Sequence, residues 1–251
     1  MEGKKMRYGL IDALRGFALV NMIIFHLLYD LRYTMGWKLP WLTSRWVYWW
    51  QQGICWSFVL ISGFTWSLGH RQLRRGLEVF FCGLVVTAVT YLFLPQEKIF
   101  FGVLNFIGVS MMLLIPLRPF LEKRNPWAGL WVCLVIFGFC KNVAAGYLGF
   151  FGIPVISLPR AWYANYGTAI LGLPFPGFYS SDYVPLIPGF FMFLAGYFLW
   201  RLICREQGKE RMLGKGVPVL QWCGRHSLWL YMLHQPVLMG ILMSLSALGV
   251  F

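Results

Sequence analysis

The sequence predicts an all-α integral membrane protein: a bundle of about seven transmembrane helices with its N-terminus in the cytoplasm. Three observations predict it. Hydrophobic residues make up 59% of the chain and charged residues only 12%, which excludes a disordered or ordinary soluble protein. The apolar residues gather into runs of about 20, the length needed to cross roughly 30 Å of hydrocarbon. Lysine and arginine fall in the short segments between those runs, so the net charge of +13 reads as a topology signal and not as a nucleic-acid footprint.

The first run, LIDALRGFALVNMIIFHLLYDL from Leu10 to Leu31, carries Asp12, Arg15, His26 and Asp30. Each ionisable group costs on the order of 2.5–3.5 kcal/mol at mid-membrane on insertion scales. Steps of three, eleven and four residues keep all four on one helical face, with Leu19 and Met22 between them. Phe17, Ile24 and Leu28 occupy the opposite face. A polar stripe turned into a bundle is by default a functional site. Arg15 suits phosphate, and Asp12 either pairs with it or shares its site. His26 can hold or shed a proton near neutral pH, and Asp30, one turn on, is placed to fix its tautomer. The plainer alternative is an Arg15–Asp12 pair and an inert core histidine.

Six further spans are expected near 46–69, 76–94, 100–118, 126–145, 184–203 and 226–247, all within one transmembrane domain over 1–251. With the N-terminus inside, the inside segments hold fifteen basic residues: Lys4, Lys5, Arg7, Arg71, Arg74, Arg75, Arg118, Lys123, Arg124, Arg201, Arg205, Lys209, Arg211, Lys215 and Arg225. The outside segments hold six: Arg32, Lys38, Arg45, Lys98, Lys141 and Arg160. That asymmetry sets the orientation. It puts Arg15 in the cytoplasmic half and His26 in the outer half, about 16 Å apart along the axis.

The loops differ in chemistry. Residues 32–50 are rich in tryptophan, which suits an interfacial belt or a stacking surface for a sugar or acyl acceptor. Residues 146–183 form a long outer segment rich in Gly, Pro and aromatics, of a length that often serves as a lid. Residues 201–225 are basic: a mere topology signal, or a landing surface for a phosphorylated cofactor, two readings that are compatible, with Arg225 and the adjoining His226 at the membrane edge.

The last run, GRHSLWLYMLHQPVLMGILM, places His234 near mid-membrane beside a stripe of Ser227, Tyr231 and Gln235. Pro236 removes one helical hydrogen bond there, so a kink is expected. His234 is a candidate catalytic group; Gln235 either touches substrate or glues helices together. Asn105, in FFGVLNFIGVSMM, is a membrane amide that could bond to the first helix. Asp182 and Tyr183, in SSDYVPLIPG, sit at the outer surface, where Asp182 contacts an acceptor or caps a helix begun near Tyr183. The six cysteines show no CxxC pair or zinc spacing, so neither metal nor structural disulfides are expected. The basic N-terminus leads into a run too long and too polar for a cleaved signal. GxSxG, HExxH, Walker and Rossmann patterns are missing, which lowers the corresponding enzyme classes.

The run RYGLIDALRGFALVNMIIFHLLYDL resembles the opening helix of the transmembrane acyltransferase superfamily. More narrowly, the chain resembles bacterial membrane proteins described as heparan-alpha-glucosaminide N-acetyltransferase-like. The blocks FFGVLNFIGVSMMLL, SDYVPLIPGFFMFLAGYFL and GRHSLWLYMLHQPVL follow in the same order, so the resemblance covers nearly the whole chain. It implies acyl transfer by Arg15 and His26, which have the superfamily's separation. It also implies acetyl-CoA or another acyl-CoA as cytoplasmic co-substrate, and an acceptor at the far face. His26, Asp30 and His234 are then the catalytic candidates. Arg15, Asp12, His226 and Arg225 are the candidates for the donor, and Asn105, Asp182, Tyr183 and Gln235 for the acceptor. Two departures matter: Asn105 stands where relatives commonly carry His, and the extra helices and lumenal region of the animal enzymes are missing. A bacterial sugar, glycan or lipid in the inner membrane is therefore the expected acceptor. Membrane lipid is an expected partner, and so is a second copy in a homodimer. The competing class is a transporter or binding protein for a lipid or sugar, with the stripe lining its pathway.

Overall fold

Apolar runs in lipid must satisfy their own backbone groups, and helices do so within one segment. The computed structural model describes residues 8–150, 152–205, 214 and 216–249. Its long helices are α1 (Gly9–Tyr33), α2 (Arg45–Trp66), α3 (Gln72–Phe93), α4 (Val103–Leu121) and α5 (Pro126–Cys140). A short α6 (Tyr166–Leu171) precedes α7 (Leu186–Arg205). Then come α8 (Pro218–Arg225) and α9 (Ser227–Ala247). Lys4, Lys5, Arg7, Lys209, Arg211 and Lys215 lie outside the described residues.

Among the described residues, six segments are long and apolar enough to cross a membrane, against the seven spans expected: Gly9–Tyr33, Gln72–Phe93, Val103–Leu121, Pro126–Ala145, Leu186–Ile203 and Ser227–Ala247. The difference is α2. Its 22 residues suffice in length, but Trp46, Tyr48, Trp49, Trp50, Gln51 and Gln52 lower its hydropathy. The chain is an all-α membrane-type protein with little sheet.

The chain divides into two compact units, Met1–Phe58 with Gln207–Phe251, and Val59–Glu206. In the first, α8 packs on α1 with backbone against backbone. A Cβ on Gly16 would meet the Leu220 carbonyl oxygen at 1.9 Å, and one on Gly224 would meet the Asp12 carbonyl oxygen at 1.8 Å. Only glycine permits that approach, the small-residue crossing familiar in membranes. Pro218 starts α8 at a position whose N–H needs no helical partner. Leu19, Met22 and Ile54 form the core of this unit, with Trp50, Phe58, Leu230 and Tyr231 packed around them.

The second unit uses the same device between α3 and α4, where Gly83 admits Asn105 and Gly76 lies against Gly108. Trp66 is buried there and donates its indole N–H to the Met111 carbonyl at 3.0 Å. Arg201 of α7 donates to the Leu121 and Glu122 carbonyls at 2.7 and 2.8 Å and so caps the end of α4. The segment 146–183 contains the antiparallel hairpin β1 (Tyr147–Phe150) and β2 (Ile153–Ser157), then α6, which begins with an Asn165–Thr168 capping box.

The crossing at Gly224 makes a specific prediction. Gly224→Val forces a side chain into the Asp12 carbonyl and should cost about 1–3 kcal/mol, as overpacked cores do. Gly240→Ala, with nothing within 4 Å of its Cβ, should be neutral or slightly stabilising. Thermal unfolding in detergent checks both; equal midpoints for the two variants would contradict the tight crossing.

Candidate functional site

The face of α1 read from spacing is the face the helix buries. Leu19, Met22 and Asp30 are buried, Asp12, Arg15 and His26 half-buried, while Phe17 and Ile24 are exposed. The candidates of the first unit form two groups along this helix.

The first group gathers at the α1–α8 crossing. Because the Asp12 backbone touches Gly224, Asp12 and Arg15 lie at the level where α8 ends in Arg225 and His226. Arg225 is exposed and donates from Nε to the Gln221 carbonyl at 3.2 Å. His226 is exposed, its Nδ1 2.9 Å from the Trp222 carbonyl oxygen and its ring 4.7 Å from the Trp222 ring centre. Two basic side chains and a histidine around a helix crossing form a donor set that suits phosphate.

The second group lies about 16 Å further along α1. The His26 and His234 rings are 4.9 Å apart, centre to centre. His234 Nδ1 donates to the Tyr231 carbonyl at 2.5 Å. A carbonyl only accepts, so Nδ1 carries hydrogen and the neutral ring presents a lone pair at Nε2. That orientation suits accepting a proton more than stabilising an oxyanion. Asp30 is 3% exposed, and both its oxygens accept from Gln235 Nε2, at 3.1 and 3.0 Å. Asp30 was expected to orient His26. Its bond to Gln235 ties α1 to α9 one residue from His234. Helix α9 runs unbroken through Pro236.

The sequence reading missed an aromatic track that leads to this pair. Trp41 stacks on Trp46 at 5.7 Å and 4°, and Trp46 on Trp50 at 5.9 Å and 20°. Trp50 meets Phe25 edge-on at 5.4 Å, and Phe25 lies 6.1 Å from His26. Asn21 fixes Trp50 by accepting its indole N–H at 3.1 Å, and Arg32 holds the loop by donating to the Leu39 carbonyl. The tryptophan-rich composition was the available signal; the register of the stack was not legible.

Three acceptor candidates belong to the second unit, and each has a structural contact. Asn105 donates from Nδ2 to the Phe80 carbonyl of α3 at 3.2 Å, where a bond to the first helix was expected. Asp182 Oδ2 accepts from the Val103 N–H at 3.3 Å and so caps α4, not a helix begun near Tyr183. Tyr183 donates its hydroxyl to the Ala169 carbonyl, and burial pushes its phenol above the ordinary range. Among the described residues, no three His, Cys, Asp or Glu side chains are grouped to hold a metal ion.

The fold and the site define a multi-pass membrane protein with an arginine and a histidine along its first helix and a second histidine, on α9, beside the first. The model of the family described as "Heparan-alpha-glucosaminide N-acetyltransferase, catalytic" matches residues 7–236, and the chain belongs to that family. Its function is therefore of the membrane acetyltransferase type. No curated protein and no solved structure matched the chain.

If Asp182 is a cap, its loss is felt in stability. Asp182→Ala should lower stability by about 0.5–2 kcal/mol, as N-cap deletions do. Thermal unfolding in detergent measures it, and an unchanged midpoint would return Asp182 to the acceptor-binding candidates.

Proposed function

We propose that the protein transfers an acyl group, acetyl by family, from acyl-CoA at the cytoplasmic face of a bacterial inner membrane. The acceptor is a sugar, glycan or lipid at the outer face. The observation that carries this reading is the ring-to-ring approach of His26 on α1 and His234 on α9, with His26 on the same face of α1 as Arg15. The excess of inside basic residues supports the orientation.

Arg15, with Asp12, Arg225 and His226 around it, binds the phosphates of the donor. Its pantetheine arm runs along the stripe towards His26, a rise of about 16 Å. His26 takes the proton of the acceptor hydroxyl or amine as that atom attacks the thioester carbonyl. The carbon–sulfur bond then breaks, and the departing CoA thiolate takes up the proton. In the two-step variant His26 itself forms the acyl bond first and passes it on. The tryptophan track from Trp41 to Phe25 supplies stacking surface on the acceptor side.

Acetyl-CoA binding and transfer by the detergent-solubilised full chain test this division. Arg15→Ala should weaken acetyl-CoA binding at least about tenfold, the scale of a lost charge-assisted hydrogen bond. His26→Ala should bind acetyl-CoA normally and lose at least about a hundredfold in transfer rate. Full transfer activity in folded His26→Ala protein would sink the catalytic assignment. Flux of sugar or lipid into proteoliposomes without acyl-CoA, and no acyl-CoA binding, would favour a transporter.

A further inference from the structure

The span Pro126–Ala145 begins with α5, and α5 shows which side of the second unit faces lipid. Trp127, Trp131, Val132 and Val135 are exposed, while Cys133 and Phe137 are buried. The helical repeat puts the four exposed residues on one arc and the two buried ones opposite. Gly129, off that arc, meets Phe198 of α7. Gly138 and Phe139, in the last turn, fall on the exposed arc, and the β1–β2 hairpin covers them. The Phe150 ring lies 5.3 Å from the Phe139 ring, centre to centre, and a Cβ on Gly138 would be 3.5 Å from it. The hairpin thus folds onto the lipid-facing side of α5 and not onto the side packed on α7.

Its chemistry matches that place. All five residues of β2 are exposed, with Ile153 at 68%, Val155 at 63% and Ile156 at 50%. The strand carries no charge. Arg160 and Trp162, both exposed, follow it closely, the basic and aromatic types that gather at a membrane–water boundary. The helix sets the depth. With 15 residues α5 is about 22 Å long, roughly 8 Å short of the hydrocarbon thickness. The 3-10 turn Val143–Ala145 and the hairpin follow where the helix stops short. A sheet edge without partners does not lie in hydrocarbon, and this two-stranded sheet has two edges. Water and lipid headgroups satisfy such edges, so the backbone belongs at the boundary and the apolar side chains below it.

We propose that the hairpin is a membrane-docking element: Ile153, Val155 and Ile156 enter the acyl chains of the leaflet at the C-terminal end of α5, with the backbone held at headgroup level. The partner is phospholipid and not a second copy of this chain. A strand that pairs between copies needs a regular edge, and β2 lacks one. Pro154 has no N–H, and the register shifts between Leu148 and Gly149, which leaves Val155 as the extra residue of a bulge. Docking is independent of acyl transfer, so either can fail alone.

The test puts the photo-crosslinking residue p-benzoylphenylalanine in place of Val155, and in a second variant in place of Ile153. The full chain is used, in nanodiscs of phosphatidylethanolamine and phosphatidylglycerol. The same replacement of Trp131 gives the reference for a lipid-facing position. Intact mass after irradiation identifies the adduct, on protein whose thermal midpoint matches wild type. Fragmentation shows whether an acyl chain or a headgroup is attached. Both hairpin variants should carry one phospholipid, joined through its acyl chain, with the yield of the Trp131 variant. Adding Val155→Ser and Ile156→Ser to the Ile153 variant should remove most of that adduct. Two joined copies of the chain, attachment to headgroups alone, or no hairpin adduct where the Trp131 variant gives one would each overturn the proposal. An undiminished yield after the two serine substitutions would overturn it as well.

Discussion

The hydrogen bond between Asp30 and Gln235 fixes what the rest of the site can be. It joins α1 to α9, residues 205 positions apart, and it does so with a carboxylate that is 3% exposed. In an apolar span an acidic side chain needs a donor, and the Gln235 amide supplies it. The same bond sets the orientation of the amide and holds His234, one residue earlier, against His26. The bond thus links the packing of α1 on α9 to the placement of the histidines.

A second constraint acts at the other end of α1. The Gly16 and Gly224 crossing brings α8 to backbone contact, and its consequence is chemical as well as mechanical. It brings the end of α8, which carries the exposed Arg225 and His226, to the level of Asp12 on α1. In the proposed function one helix thus carries both the phosphate-binding end and the proton-handling middle, as transfer between opposite faces requires. The stacked tryptophans leading to Phe25 belong to the same unit as the histidine pair.

Much of this was legible in the sequence, because helical spacing alone put Arg15, His26 and Asp30 on one face and Phe17 and Ile24 on the other. The family blocks named the residues around His234 and Gln235 as well. Partners across helices were not legible. Asp30 reads locally as a companion of His26, and only tertiary contact reveals Gln235. Asn105 reads as a membrane amide that could bond to the first helix, yet Gly83 on α3 leaves room for it to reach the Phe80 carbonyl. Asp182 caps α4, some 80 residues earlier, where a local cap was the natural expectation. Helix α8 was hidden inside a basic loop, although Pro218 and Gly224 marked its start and its packing face. Helix α2 has the length of a span, but its tryptophans and glutamines, the residues that make it chemically interesting, lower its hydropathy below that of the other six. The tautomer of His234 depends on one carbonyl three residues back, a detail no pattern encodes.

The central claim is that His26 and His234 act as one unit. A double-mutant cycle on acetyl transfer, comparing His26→Ala, His234→Ala and the pair in folded protein, measures this most directly. Groups that work together are non-additive, so the double variant should lose about as much activity as the worse single variant. Losses that multiply, or a His234→Ala protein with wild-type rate, would contradict the account and leave His234 as a packing residue.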